Sequence, residues 1–329
     1  MDTTRRLRSL VRRFRSVRVL VIGDLMLDRF VWGDVSRISP EAPVPIVRVQ
    51  REEARVGGAG NVVANVQALS GDATACGLVG HDATGKALLA GLRTAGGTLT
   101  GVVTSTILPT TAKTRVIAHG QQVVRFDHDP MGTQAATKTL GRVTNWVRDN
   151  VQRFPVVVVS DYGKGVVTPD LLRELERLRE RHGFAYVIDP KRPNFAHYRG
   201  ASLVKPNVAE ASDAAGLEIE DAASLDEAGR RLLERWAAEA VLISRGEQGM
   251  SLIRPRTRAR HFPTAAHQVY DVTGAGDTVL ATCALALGAG GSLEEAATLA
   301  NLAAGIVVGK VGTATASGAE LLRSLRAVA

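Results

Sequence analysis

Cysteine is nearly absent: the 329 residues hold two, Cys76 and Cys283. They lie far apart and lack metal-ligand spacing. Neither a disulfide framework nor a zinc site is expected, and both read as buried thiols of a reducing compartment, so a cytoplasmic location is expected. No apolar run reaches the roughly 20 residues that cross a bilayer, which argues against membrane insertion. No low-complexity tract occurs. Charged residues are 22% and hydrophobic residues 45%, a balance that predicts a packed soluble protein. The length suits one large α/β domain or two smaller ones.

The net charge of +8 is unevenly placed. The first 18 residues hold seven arginines (Arg5, Arg6, Arg8, Arg12, Arg13, Arg15, Arg18) against Asp2, and the other 311 residues carry only +2. Nucleic-acid binding is therefore not expected of the chain as a whole. Leu7, Leu10, Val11 and Phe14 recur at helical spacing, which predicts a basic amphipathic helix. A transit peptide, an anchor on an anionic surface and a surface helix packed by its apolar stripe all fit; no signal-peptide apolar core comes after it.

Beyond the basic segment, strand-like and helix-like stretches alternate. Val17 to Ile22 reads as a strand buried on both faces, ending at Gly23-Asp24 with Asp28 beyond. Asp24 stands where open α/β sheets place ligand contacts, and a plain turn residue is the other reading. Residues 30–55 are proline-punctuated short β-segments that do not suit the middle of a parallel sheet. Gly57-Gly58-Ala59-Gly60-Asn61 then leads into a helix. The Lys-Ser/Thr of a Walker motif is missing there, and Asn61 suits a polyhydroxylated ligand. Gly101–Ser105, Ala112–Ala118 and Gln122–Phe126 form a second β-set. Paired with 30–55, it predicts a projecting lid from about 30–55 and 102–126. Arg115 on that lid either closes over an anionic substrate or is a solvated strand residue.

From residue 137 the pattern is βαβα, with polar loops after each strand: 160–165, 189–191, 205–207 and 244–249. That is a doubly wound, mostly parallel sheet with helices on both faces. Two helices, 278–288 and 292–308, are expected after the glycine-rich run Asp271-Val272-Thr273-Gly274-Ala275-Gly276-Asp277. Gly274 and Gly276 would let the backbone approach a ligand, and the amides of the helix start would attract an anion. Asp277 beside such an anion hole suits phosphoryl transfer as a proton acceptor; a helix N-cap is the rival role.

The two glycine-rich signatures, 57–61 and 271–277, resemble those of the PfkB (ribokinase-like) carbohydrate kinases over essentially the whole chain. Asn207 with Glu210 resembles the family's Asn-x-x-Glu element. Ser244-Arg245-Gly246-Glu247-x-Gly249 resembles its nucleotide-binding loop. Within the family, the strongest resemblance is to kinases of D-glycero-β-D-manno-heptose 7-phosphate. It is carried by Gly23-Asp24-x-Met26-Leu27-Asp28, the run Ser36 to Pro45 (SRISPEAPVP), Ser160-Asp161-Tyr162-x-Lys164-Gly165 and Val308-Gly309-Lys310-x-Gly312-Thr313. Val63, and His119-Gly120 in the lid, depart from the pattern. The absence of a second nucleotide-binding signature resembles the stand-alone form of the kinase.

The resemblance implies a single kinase domain over 1–329 that moves a phosphoryl group from ATP to O1 of the heptose 7-phosphate, for ADP-heptose and lipopolysaccharide core synthesis. It implies Asp277 as base, with the amides of Gly274, Ala275 and Gly276 around the transferring group. Asp24, Gly57, Gly58 and Asn61 would meet the sugar. Lys164, then Arg115, are nominated for its 7-phosphate. Asn207 and Glu210 would hold Mg²⁺, mostly through water. Ser244, Gly246 and Gly249 would line the nucleotide phosphates, with Lys191 near either phosphate and Asn301 near the adenine. For the lysines an exposed solubilising role stays open, and for Asn301 a helix-packing role. A homodimer through the lid is expected. The alternatives are a fructose- or ribose-type sugar kinase, or a non-catalytic sugar or nucleotide sensor on the same fold.

Overall fold

The computed structural model describes residues 3–129, 134–266, 268–310, 312 and 314–327. Val311 and Thr313 of the 308–313 segment lie outside the described residues.

The first half runs α1 (Thr3–Arg13), β1 (Arg18–Gly23), β2 (Leu25–Ile38), β3 (Pro45–Gly58), α2 (Ala59–Ala68), β4 (Asp72–Gly80), α3 (Ala83–Thr94), β5 (Thr98–Ser105), β6 (Thr111–Ala118) and β7 (Gln121–His128). Next come α4 (Gln134–Asn150), β8 (Val156–Ser160), α5 (Pro169–His182), β9 (Ala185–Asp189), β10 (Leu203–Val204), α6 (Val208–Ala215) and α7 (Ala222–Trp236). The chain closes with β11 (Val241–Ser244), β12 (Met250–Ile253), β13 (Arg260–Phe262), α8 (Ala275–Gly288), α9 (Leu293–Val308) and α10 (Gly318–Ala327).

Local chemistry marks the boundaries. In α5 the Thr168 hydroxyl accepts from Leu171 N at 3.2 Å and Pro169 opens the first turn. Gly183 closes the helix in the left-handed region at φ 69°, open to glycine because it lacks a Cβ. Helix α9 starts on a capping box between Ser292 and Glu295.

Nine strands form the main sheet in the order β13-β12-β11-β10-β9-β8-β1-β4-β5. From β11 to β5 all pairs are parallel, and β12 and β13 add an antiparallel edge. Alternate strand residues feed two cores. Val19, Val21, Val156 and Val158 pack with the faces of α2, α8 and α9. Leu20, Ile22, Val157 and Val159 pack with those of α4, α5 and α7. This is the doubly wound fold expected, and its order reverses between β1 and β8. The C-terminal ends of those two strands carry Gly23-Asp24 and Ser160-Asp161-Tyr162, the place where such sheets bind ligands.

The second sheet is the lid, in the order β3-β2-β6-β7. Its boundaries correct the sequence reading in two ways. Gly101–Ser105 is no part of it: β5 pairs in parallel with β4 at the edge of the main sheet, with Gly101 and Val103 buried. Residues 30–55 are not short segments but most of a hairpin of two 14-residue strands, Leu25 paired with Gly58 and Ile38 with Pro45. Pro40 and Pro43 sit in its turn and Pro45 opens β3, so the prolines cost the ladder little.

Helix α8 begins at Ala275, three residues before the expected start, and α10 is an addition to the expected elements. In α1 the residues Leu7, Leu10, Val11 and Phe14 are buried against the body, and Arg6 Nε pairs with Glu295 at 3.0 Å. Among the three readings of the basic segment, the structure has the packed surface helix.

Candidate active site

Gly274 caps α8 in the left-handed region at φ 80°. Asp271 Oδ1 accepts from Thr273 N at 2.9 Å and shapes the turn before it. The amide of Ala275 is engaged, donating to Val272 O at 3.2 Å. The first-turn donors without a backbone acceptor among the described residues are therefore Gly276 and Asp277, one step later than expected. A Cβ at Gly276 would meet only Lys205 Nζ, at 3.6 Å, and the space beside it opens into a cavity that both residues line.

Asp277 is in the third position of α8 and 6% exposed; it does not cap the helix. Asn61 Nδ2 donates to its Oδ2 at 2.7 Å and Tyr162 Oη to its Oδ1 at 2.8 Å. Burial and the nearby Asp189 charge push the carboxyl up, while Asn61, Tyr162 and Lys205 pull it down. It comes to about 6. A carboxylate poised near neutrality is matched to taking a proton from a hydroxyl.

On one side of Asp277 lies a cavity of about 820 Å³, within the usual range for ligand sites. Ser244, Gly246, Gly249, Asn207, Glu210, Lys191 and Asn301 all line it, as do Gly274, Ala275 and Gly276. Asn301 Nδ2 donates to Pro263 O at 2.6 Å. Lys205, not singled out from the sequence, is buried at the cavity floor and pairs with Asp189 Oδ1 at 3.0 Å. Burial opposes its charge, but Asp189, Glu210 and Asp277 outweigh that and raise its pKa.

Asn207 and Glu210 form the capping box of α6: Asn207 Oδ1 accepts from Glu210 N at 2.8 Å, and Glu210 Oε2 from Asn207 N at 3.0 Å. Lys191 Nζ donates to Glu210 Oε1 at 2.6 Å. No group of three or more acidic, His or Cys ligands gathers among the described residues. This donor set fits a magnesium ion held by water and substrate phosphates, and not one caged by the protein.

On the other side lies the lid, and here two residues nominated for the sugar have partners within the protein. Asp24, nominated for sugar contact, is 1% exposed. Its carboxylate accepts from the backbone of Tyr162 at 2.8 Å, Lys164 at 3.1 Å and Val166 at 3.0 Å, so it holds the loop that carries Tyr162. Asn61 is likewise engaged with Asp277, and its Oδ1 accepts from Asn65 Nδ2 at 3.3 Å. Gly57 and Gly58 stand where the lid meets the body. A Cβ at Gly57 would collide with Asp28 Oδ2, and Gly58 has φ 56°.

Asp28 is 7% exposed and paired with Arg115 Nη1 at 2.6 Å. Lys164 Nζ pairs with Asp129. Lys113 Nζ stands 5.4 Å from the centre of the Tyr162 ring. Tyr162, Asp189 and Lys205 all lie at or just past the C-terminal ends of parallel strands, a positional signal available in the sequence.

A model described as the pfkB family carbohydrate kinase matches residues 17–319. The chain belongs to that family. This carbohydrate kinase is 46% identical over 310 residues to the bifunctional protein HldE of Geobacter sulfurreducens, covering 94% of the chain and 63% of that protein. It is 46% identical over 320 residues to HldE of Geobacter metallireducens, covering 96% and 64%. The chain thus spans less than two thirds of the length of these relatives, and matches part of a bifunctional protein. Among solved structures, Arabidopsis thaliana ribokinase complexed with ribose and ATP shares the fold at TM-score 0.74 and 20% identity, covering 94% of this chain and 98% of that one. Escherichia coli phosphofructokinase-2 with fructose-6-phosphate does so at TM-score 0.77 and 20% identity, with the same coverage. No helix among the described residues is long and apolar enough to cross a membrane.

Proposed function

We propose that this kinase transfers the γ-phosphoryl group of ATP to O1 of D-glycero-β-D-manno-heptose 7-phosphate, giving the 1,7-bisphosphate. The observation that carries the phosphoryl transfer is the position of Asp277 between the cavity lined by 244–249 and the lid, with both oxygens oriented. The sugar's identity is supported by the resemblance of residues 23–28, 36–45 and 160–165 to heptose-phosphate kinases, and by the HldE relatives, which align over 94–96% of the chain.

In this reading the O1 hydroxyl approaches Asp277, which takes its proton as the O1–phosphorus bond forms and the bond to the ADP oxygen breaks. The amides of Gly276 and Asp277 face the equatorial oxygens, and Lys205 lies close enough to share their charge. A donor so placed is typically worth ~3 kcal/mol. Bound magnesium would neutralise charge on the nucleotide phosphates, with Glu210 and Asn207 reaching it largely through water.

The same reading takes the lid as a dimer surface. Val49, Val124 and Phe126 are 50%, 48% and 57% exposed on its strands, an apolar set that a second lid would cover. A monomer in light scattering at micromolar concentration would remove the dimer.

A substrate panel read by ATP consumption tests the function, with phosphorus NMR reporting the hydroxyl modified. Turnover of heptose 7-phosphate with a new anomeric phosphate is expected. Turnover confined to fructose- or ribose-type sugars would overturn it.

A further inference from the structure

We propose that Lys113 is the side chain that receives the phosphate already present on the sugar substrate; this deepens, and rests on, the sugar-phosphate reading above. Lys113 and Arg115 are two apart on β6 and so project from the same face of the lid. In register, Lys113 stands beside Asp28 of β2 and Asp127 of β7. Its ammonium lies over the Tyr162 ring, and the hydroxyl of that ring is bonded to Asp277. One tyrosine therefore separates Lys113 from the base. A sugar with its reacting hydroxyl at one end and a phosphate at the other would span that ring.

Four cations gather here, and three are engaged. Arg125 is held by Asp127, Nε to Oδ1 at 3.0 Å. Arg115 is held by Asp28, and its guanidinium lies over Phe30, 5.3 Å from the ring centre. Lys164 is held by Asp129. Lys113 has no ion pair among the described residues and is half-buried. Burial, Lys164 and Arg125 together depress its pKa despite Asp28 and Asp127, so its charge is under-compensated in the free protein. A phosphate dianion supplies what is missing, and a neutral sugar does not.

The test compares heptose 7-phosphate with the dephosphorylated heptose. Lys113→Ala is expected to raise KM for the phosphorylated sugar about 10- to 100-fold. KM for the neutral sugar, kcat and ATP affinity should hold within about twofold, and Lys113→Arg should restore most of the loss. Equal loss for both sugars, or none, overturns the assignment. If the alanine variant unfolds, the wild-type chain still answers. Reductive methylation of Lys113, followed by peptide mass spectrometry, should be slowed by the sugar phosphate and not by the neutral sugar. Equal labelling overturns the proposal. Wild-type protein that phosphorylates only neutral sugars would overturn the substrate reading, and this assignment with it. Wild-type turnover of the sugar phosphate with an indifferent Lys113 variant would overturn this assignment alone.

Discussion

The phenol of Tyr162 donates a 2.8 Å hydrogen bond to Oδ1 of Asp277, 115 residues further along the chain. With Asn61 on the other oxygen, the carboxylate is fixed in plane and its second lone pairs are left for a substrate. Substitutions at that carboxylate and around it have distinct expected outcomes.

Asp277→Asn is expected to lower kcat by about 10²- to 10⁴-fold while leaving ATP affinity nearly unchanged. It should also stabilise the fold at neutral pH. The folded carboxyl, at about 6 against an ordinary 3.8, binds its proton more tightly than in the unfolded chain. Its contribution is therefore full below about 4 and is lost as pH rises to about 6, some 3 kcal/mol in all. Melting temperatures should favour the variant at pH 8 and not at pH 4. Near-wild-type turnover would sink the base assignment.

Tyr162→Phe removes a donor that favours the charged carboxylate. The acidic limb of kcat/KM, set by Asp277, should move to higher pH by roughly one unit. A pH–rate profile checks this. A uniform loss with an unmoved limb would show that Tyr162 does not tune the base.

Lys205→Met should destabilise the protein by about 3–5 kcal/mol, because it leaves the Asp189 carboxylate without its partner. Adding Asp189→Asn should recover much of that in denaturant unfolding, yet leave ATP turnover impaired. A double variant as unstable as the single one would refute the pairing.

Gly57→Ala places a methyl against Asp28 Oδ2 and should loosen the Asp28–Arg115 pair. The sugar KM should rise while ATP affinity, measured by calorimetry, stays put. Matched losses for both substrates would mean general unfolding instead of lid misplacement.

The parts legible in the sequence are those written locally. The valine run of β8, the Thr-Pro start of α5 and the glycine signatures each declare themselves within a few residues. So do the loop residues 244–249, because strand ends are easy to mark. Partner choice is not legible. Asn61 suits a sugar by its donor and acceptor, but only the packing of α2 against α8 turns it to Asp277. Asp24 sits at a ligand-binding edge, yet burial commits it to the 162–166 backbone. The lid boundary fails for a related reason, since β5 looks like its neighbours until β4 pairs with it. Helix α10 carries a local signal in Leu321, Leu322 and Leu325, too short a stripe to stand out after the longer helices.

The β2–β3 hairpin of the lid leaves the body through a single residue, Asp24, between β1 and β2, and returns at Gly58, where β3 ends and α2 begins. The Ala59 amide, donating to Asp24 O at 3.1 Å, pins those two roots together. This is one of at least two attachments of the lid, since Thr110, just before β6, is also held to the body by Asp82; Asn61 lies in the first turn of the helix at the first attachment. Through the Asn61–Asp277 bond the root of the β2–β3 hairpin is one hydrogen bond away from the proposed base, so a sugar that displaced the hairpin would bear on the alignment of Asp277.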